Sequence, residues 1–262
     1  MNPLKSAWQK GEKTLGVWCT LPGSTHAELI ARQGVDYVCV DYQHGMIDHS
    51  VGVQMMQAIL AGGAIPIARP GWNEPSRIMQ VLDAGVQGVV VPMVNNAVEA
   101  ATAVAAVRFP PLGSRSYGPV RAREVLGSAD PEALEDIACM VMIETAEGIE
   151  NAKAIIRTDG VTGVYIGPSD LALSMGIKPG IFPHDNKMLD FLKFIVEDCR
   201  EAGKVPGIQA ANGEIAAFYA GLGFDMITIG SDAPFLTAAV RSHLATARGT
   251  AARLAPAPAS NY

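Results

Sequence analysis

The sequence predicts an α/β fold, a (β/α)8 barrel of the TIM type. Three observations carry that expectation. Eight short apolar runs rich in β-forming residues are spaced along the 262-residue chain. Most are continuous rather than alternating, as in a parallel sheet buried on both faces. Amphipathic or Ala-rich stretches lie between them, and several end in Gly, a helix stop. Eight such units in about 250 residues match the barrel. A doubly wound sheet needs fewer strands, and no GxGxxG follows the first run.

"LGVWCT" (15–20) follows the polar start "MNPLKSAWQKGEK", which has no apolar h-region and so no secretory signal. "VDYVCVD" (35–41) breaks into "YQHG" and leads to a helical pattern, "SVGVQMMQAILA". "AIPIARP" (64–70) leads to the helix "EPSRIMQVLDAG", and "GVVVPM" (88–93) to "NAVEAATAVAAVRF". Residues 113–130, "GSRSYGPVRAREVLGSAD", have weak periodicity and read as a long functional or interfacial loop. "ACMVMIET" (138–145) and "GVYIGP" (163–168) follow; then come the helix "MLDFLKFIVEDCREAG" and the runs "KVPGIQA" (204–210) and "FDMITIG" (224–230). One barrel over 1–250 and a frayed tail over 251–262, ending "APAPASNY", are expected.

Hydrophobic residues make up 49% of the chain and charged residues 18%, which suits a sizeable core rather than disorder. A formal net charge of −6 argues against nucleic acid or an anionic membrane as partner. No apolar run reaches the length of a spanning helix. Cys19, Cys39, Cys139 and Cys199 are scattered, with no CxxC motif or Cys/His cluster. Buried, reduced thiols of a cytoplasmic protein are the simplest reading.

Barrel enzymes place their chemistry at the C-terminal ends of strands. Asp41 and His44 follow the second run, Arg69 ends the third, Glu144 the fifth, and Asp170 follows the sixth. Asp41 is close enough in sequence to orient the His44 imidazole and support its charged form. Arg69, before Pro70, could hold a carboxylate or an enolate, or form a structural salt bridge. Glu144 and Asp170 are 26 residues apart, one βα unit, so neighbouring strands would bring their oxygens together. Two facing carboxylates call for a shared cation or a proton, and oxygen donors suit Mg²⁺ or Mn²⁺. The competing reading makes each a helix cap. Gly167 would admit a ligand near the backbone, and Ser169 could face an anion or cap a helix. His26 and His49 read as loop or cap residues, His184 and His243 as surface positions. No lysine ends a strand, which disfavours Schiff-base chemistry.

The segments "DYQHG", "IARPGWNEP", "LDAGVQGVVVPMVNNA", "MIETAEGIEN", "YIGPSDLALSMG" and "TIGSDAPFL" together resemble the HpcH/HpaI family of metal-dependent class II pyruvate aldolases. The resemblance runs from Gly16 to about Ala245. It implies a barrel of the phosphoenolpyruvate/pyruvate type that reversibly cleaves a 4-hydroxy-2-oxo acid to pyruvate, or a hydroxypyruvate-like acid, and an aldehyde. It makes Glu144 and Asp170 the metal ligands, for Mg²⁺ or Mn²⁺ first and Co²⁺ or Zn²⁺ second. Arg69 then stabilises the enolate, and His44 with Asp41 serves acid–base chemistry. The backbone of Gly167, Pro168 and Ser169 cradles the pyruvyl carboxylate, and Asp83 reaches a neighbouring subunit's site. Hexamers, trimers of dimers exchanging the last helix, are implied as well. Three departures stand out: Gln43 where relatives carry Glu, Met142 where others carry Gln, and Ser116 in the family's G-x-R-G loop. A lyase for CoA thioesters, using Arg115, Arg121 and Arg123, and a non-catalytic binding barrel are the alternatives.

Overall fold

Eight parallel strands close on themselves in sequence order, β1 pairing with both β2 and β8. They are β1 (Thr14–Cys19), β2 (Tyr37–Asp41), β3 (Ile65–Arg69), β4 (Gly88–Val91), β5 (Ala138–Ile143), β6 (Gly163–Ile166), β7 (Val205–Gln209) and β8 (Met226–Ser231). Each lies within one of the predicted runs or overlaps it to within a residue. The computed structural model describes residues 1–179 and 186–249. The expected tail and His184 lie outside the described residues.

Thirteen helices are described. They are α1 (Pro3–Gln9), α2 (Ser24–Ala31), α3 (His49–Gly62), α4 (Pro75–Asp83), α5 (Ala97–Val107), α6 (Val120–Leu126), α7 (Pro131–Leu134), α8 (Ala146–Glu150), α9 (Ala152–Ile156), α10 (Pro168–Ser174), α11 (Asn186–Glu201), α12 (Gly213–Leu222) and α13 (Asp232–Ala247). One expectation needs correction: the segment 113–130 is not all loop, because it holds α6. That helix starts after Pro119, stops at the left-handed Gly127 and buries only Ala122. It therefore leaves no apolar stripe for a periodicity argument to find.

The core has two layers. The outer one lies between strands and helices and takes in Val38, Val40, Val89, Val91, Val141 and Ile143 from the strands, with Met55, Ile59, Leu192 and Ile195 from α3 and α11. The inner one fills the barrel with Trp18, Tyr37, Cys39, Ile67, Met140, Met142, Tyr165 and Met226, and Leu4 of α1 joins it. Large residues inside are matched by glycines on neighbouring strands. A Cβ at Gly16 would lie 2.2 Å from the Tyr37 ring, and one at Gly207 would lie 2.7 Å from Tyr165. The two phenols meet at Thr228 Oγ1, at 3.0 and 2.6 Å, so their buried hydroxyls are satisfied. The helix α1 is capped by Asn2, whose side chain accepts from the N–H groups of Leu4 and Lys5. Trp8 donates to Thr14 Oγ1 at the start of β1.

Candidate active site

The C-terminal ends of the strands surround a pocket. Trp18, Thr20, Asp41, Arg69, Met142, Glu144, Gly167, Pro168, Ser169, Asp170 and Gln209 line it. Parallel pairing in register brings Asp41 opposite Arg69, and β5 beside β6 brings Glu144 beside Gly167. The structure thus gathers Asp41, Arg69, Glu144, Gly167, Pro168, Ser169 and Asp170 at one mouth.

Arg69 is buried and held as a fork. Its Nε and Nη2 donate to the two Asp41 oxygens at 2.8 and 2.6 Å, and its guanidinium lies 4.4 Å from the Trp18 ring centroid. Arg69 therefore forms the salt bridge that the sequence allowed, and it also lines the pocket. Burial works against its charge, but the hydrogen bonds and charge of Asp41 outweigh that and raise its pKa. Asp41 also accepts from the backbone N–H groups of Gln43 and His44, at 3.0 and 3.3 Å. It therefore fixes both the arginine and the turn that carries the histidine.

His44 is exposed at the rim of the mouth. Its pKa is lowered, first by desolvation and then by Arg69, against the opposing pull of Asp41 and Asp170. Asp41 thus supports the charged imidazole, as its place in the sequence suggests, but desolvation and Arg69 outweigh it. A neutral ring near pH 7 results.

Glu144 is buried, and burial is the main reason its pKa rises to about 7. The Met93 N–H and Arg69 oppose the rise, and the charges of Asp170 and Asp41 add to it. Met93 donates to Glu144 Oε1 at 2.7 Å from a left-handed backbone, φ 56°, uncommon without glycine. The other oxygen, Oε2, sits where a side chain at Gly167 would go, 2.4 Å from that Cβ position. Glycine is required there. Neither acid is a helix cap: Thr145 caps α8 with its hydroxyl, and Gly167 precedes α10 with no side-chain cap from Ser169 or Asp170. A dry carboxyl of raised pKa beside a second carboxylate, with oxygen donors only, fits a hard divalent cation.

Asp83 ends α4, does not line the pocket of its own chain, and accepts from Arg115 Nη2 at 3.1 Å. Arg115 is fully buried, stacks on Phe109 and donates to the Leu134 carbonyl; Arg121 donates to the Ala84 carbonyl. Two of the three arginines considered for a CoA tail are thus committed to the protein itself. Sequence reasoning missed Trp18, Thr20 and Gln209 as pocket residues, because they read as strand interior or neutral loop. It also found no Cys/His cluster, whereas the fold brings ligand atoms of Cys19, His26 and Asp232 within 4.8 Å of one another. His26, expected as a loop or cap residue, lies in the first turn of α2 with its Nε2 3.1 Å from Asp232 Oδ2.

Comparison with known proteins identifies the family. The family model for HpcH/HpaI aldolase/citrate lyase matches residues 14–239. The chain is 39% identical to a hydroxypyruvate/pyruvate aldolase of Rhizorhabdus wittichii, over 95% of this chain and 99% of that one. It is 36% identical to a 4-hydroxy-2-oxo-heptane-1,7-dioate aldolase of Shigella flexneri, over 99% and 98%. A solved structure of an HpcH/HpaI aldolase/citrate lyase family protein from Burkholderia cenocepacia superposes with a TM-score of 0.87 at 28% identity, covering 95% of this chain and 100% of that one. The chain belongs to the HpcH/HpaI aldolase/citrate lyase family.

Proposed function

We propose that the protein is a divalent-metal-dependent class II aldolase. It reversibly splits a 4-hydroxy-2-oxo acid into pyruvate, or a hydroxypyruvate-like acid, and an aldehyde. The observation that carries the reading is Arg69, buried, fixed by Asp41 and opening onto the pocket that holds Glu144 and Asp170. A guanidinium locked before substrate arrives needs no reorganisation as negative charge develops on the 2-oxo oxygen.

Glu144 and Asp170 hold the cation, Mg²⁺ or Mn²⁺ by the hardness of their oxygens. Bound, it supplies Lewis-acid polarisation of the 2-oxo group. The backbone of Gly167, Pro168 and Ser169 receives the substrate carboxylate. His44, neutral in its resting state, takes the proton of the C4 hydroxyl. The C3–C4 bond then breaks: its electron pair moves into the enolate, the C4 oxygen becomes the aldehyde carbonyl, and Arg69 stabilises the enolate oxygen. His44 or water returns a proton to C3. Trp18 and Met142 form the apolar part of the wall around this carbon.

The reading extends to assembly and location. Only Asp232 of α13 is buried, while Phe235, Leu236, Val240 and Leu244 are 40–57% exposed. A second copy of the chain covers that face in a homo-oligomer, a hexamer by family resemblance, and Asp83 then faces a neighbour's pocket. Four free, buried cysteines fit a reducing cytoplasm.

The test is exchange of pyruvate methyl protons into deuterated water, followed by capture of a panel of aldehydes, with each divalent metal and with chelator. Exchange that is metal-dependent and falls by about 10²-fold or more in Arg69→Ala, with an unchanged circular dichroism spectrum, supports the reading. Exchange untouched by chelator or by the substitution overturns it.

A further inference from the structure

We propose that Cys19, His26 and Asp232 form a second cation site, suited to a thiophilic divalent ion such as Zn²⁺ and separate from the carboxylates of the catalytic pocket. The three come from different elements: the last residue of β1, the first turn of α2 and the first residue of α13. One sulfur, one ring nitrogen and one carboxylate oxygen lie within 4.8 Å of one another, the only such mixed group among the described residues. Donors around a tetrahedral zinc stand roughly 3–4 Å apart, so small side-chain adjustments close the shell and leave a fourth position to water.

The carboxylate is already oriented. Asp232 Oδ1 accepts from the N–H and hydroxyl of Thr20, at 2.9 and 2.8 Å, and from the N–H of Ala233 at 2.8 Å. Oδ2 accepts from Leu21 N–H at 3.0 Å, shares the Thr20 N–H at 3.1 Å and faces His26 Nε2 at 3.1 Å. Backbone donors of this kind fix ligand carboxylates in metal sites. Gly23, at φ 142°, leaves the space the imidazole needs, since a Cβ there would lie 3.2 Å from His26 Nδ1. The His26 side chain is 30% exposed while Cys19 is buried, so the imidazole is the member of the group that meets solvent. On binding, Cys19 releases its S–H proton to water, its sulfur lone pair bonds the cation, and the His26–Asp232 hydrogen bond gives way to two metal bonds.

The consequence is mechanical. The ion ties the start of α13, a helix otherwise hardly buried in this chain, to the end of β1. Thr20, hydrogen-bonded to Asp232, also lines the catalytic pocket. Titration with Co²⁺, followed in the near ultraviolet, tests the site in the intact protein. The expected result is a thiolate-to-cobalt charge-transfer band that saturates at one equivalent per chain, persists in Glu144→Gln and vanishes in Cys19→Ser. His26→Ala, at a partly exposed position, weakens the apparent affinity by about tenfold or more. Absence of the band from the folded wild-type protein, or its survival in Cys19→Ser, overturns the proposal. The band reports sulfur ligation alone, so neither result depends on the role of Glu144.

Discussion

Glu144 shows how far one side chain's setting governs the pocket. Its carboxyl is raised from the ordinary range to about 7 in the cation-free protein, chiefly by burial. Between the ordinary glutamate value and about 7, the folded chain binds more protons than the unfolded one. Stability of the cation-free protein therefore falls as pH rises through that window. Glu144→Gln carries no such charge. With chelator at pH 8 it should be more stable than the wild type by up to about 3 kcal/mol, the gap closing toward pH 4.5. Denaturant melts at the two pH values check this, and an equal gap at both would refute it. The acids and Arg69 were legible in the sequence because each lies at or just beyond the end of an apolar run, where a charge is conspicuous. Trp18 and Gln209 were not, because an indole or an amide at a strand end looks like ordinary core or loop. The partnership of Asp41 with Arg69 was hidden too, since it depends on the register between β2 and β3.

At the scale of elements, the strands were readable because a parallel sheet covered on both faces demands continuous apolar segments. The short helices were not, since a helix such as α6 with one buried residue offers no periodic signal. Packing between strands follows a rule of paired sizes. Tyr37 occupies the space above Gly16, and Tyr165 the space above Gly207. Gly16→Ala would press a methyl group into the Tyr37 ring on a closed barrel that has little freedom to yield. The expected cost is about 1–3 kcal/mol, seen as a lower denaturation midpoint with an unchanged slope. A midpoint equal to that of the wild type would show that the ring moves aside freely. Three of the four cysteines lie in strands, as the runs predicted. The proximity of Cys19 to His26 and Asp232 was not visible, because closure of β1 onto β8 brings together residues more than 200 positions apart.

For the whole molecule, the exposed stripe of α13 is the surface on which the proposed assembly rests. Leu236 and Val240 are one helical turn apart and face outward. Lysine at both positions should lower the mass measured by light scattering while leaving circular dichroism unchanged, and an unaltered mass would place the contact elsewhere. No described helix is long and apolar enough to cross a membrane. The barrel's inner polar knot, Tyr37 and Tyr165 on Thr228, has a practical use. Burial pushes both phenols, with Tyr42 and Tyr219, well above the ordinary tyrosine range, whereas Tyr117 is exposed. In an alkaline absorbance titration those four rings should stay dark until the barrel opens, then ionise together. The protein thus carries its own dye for global opening, readable without any label.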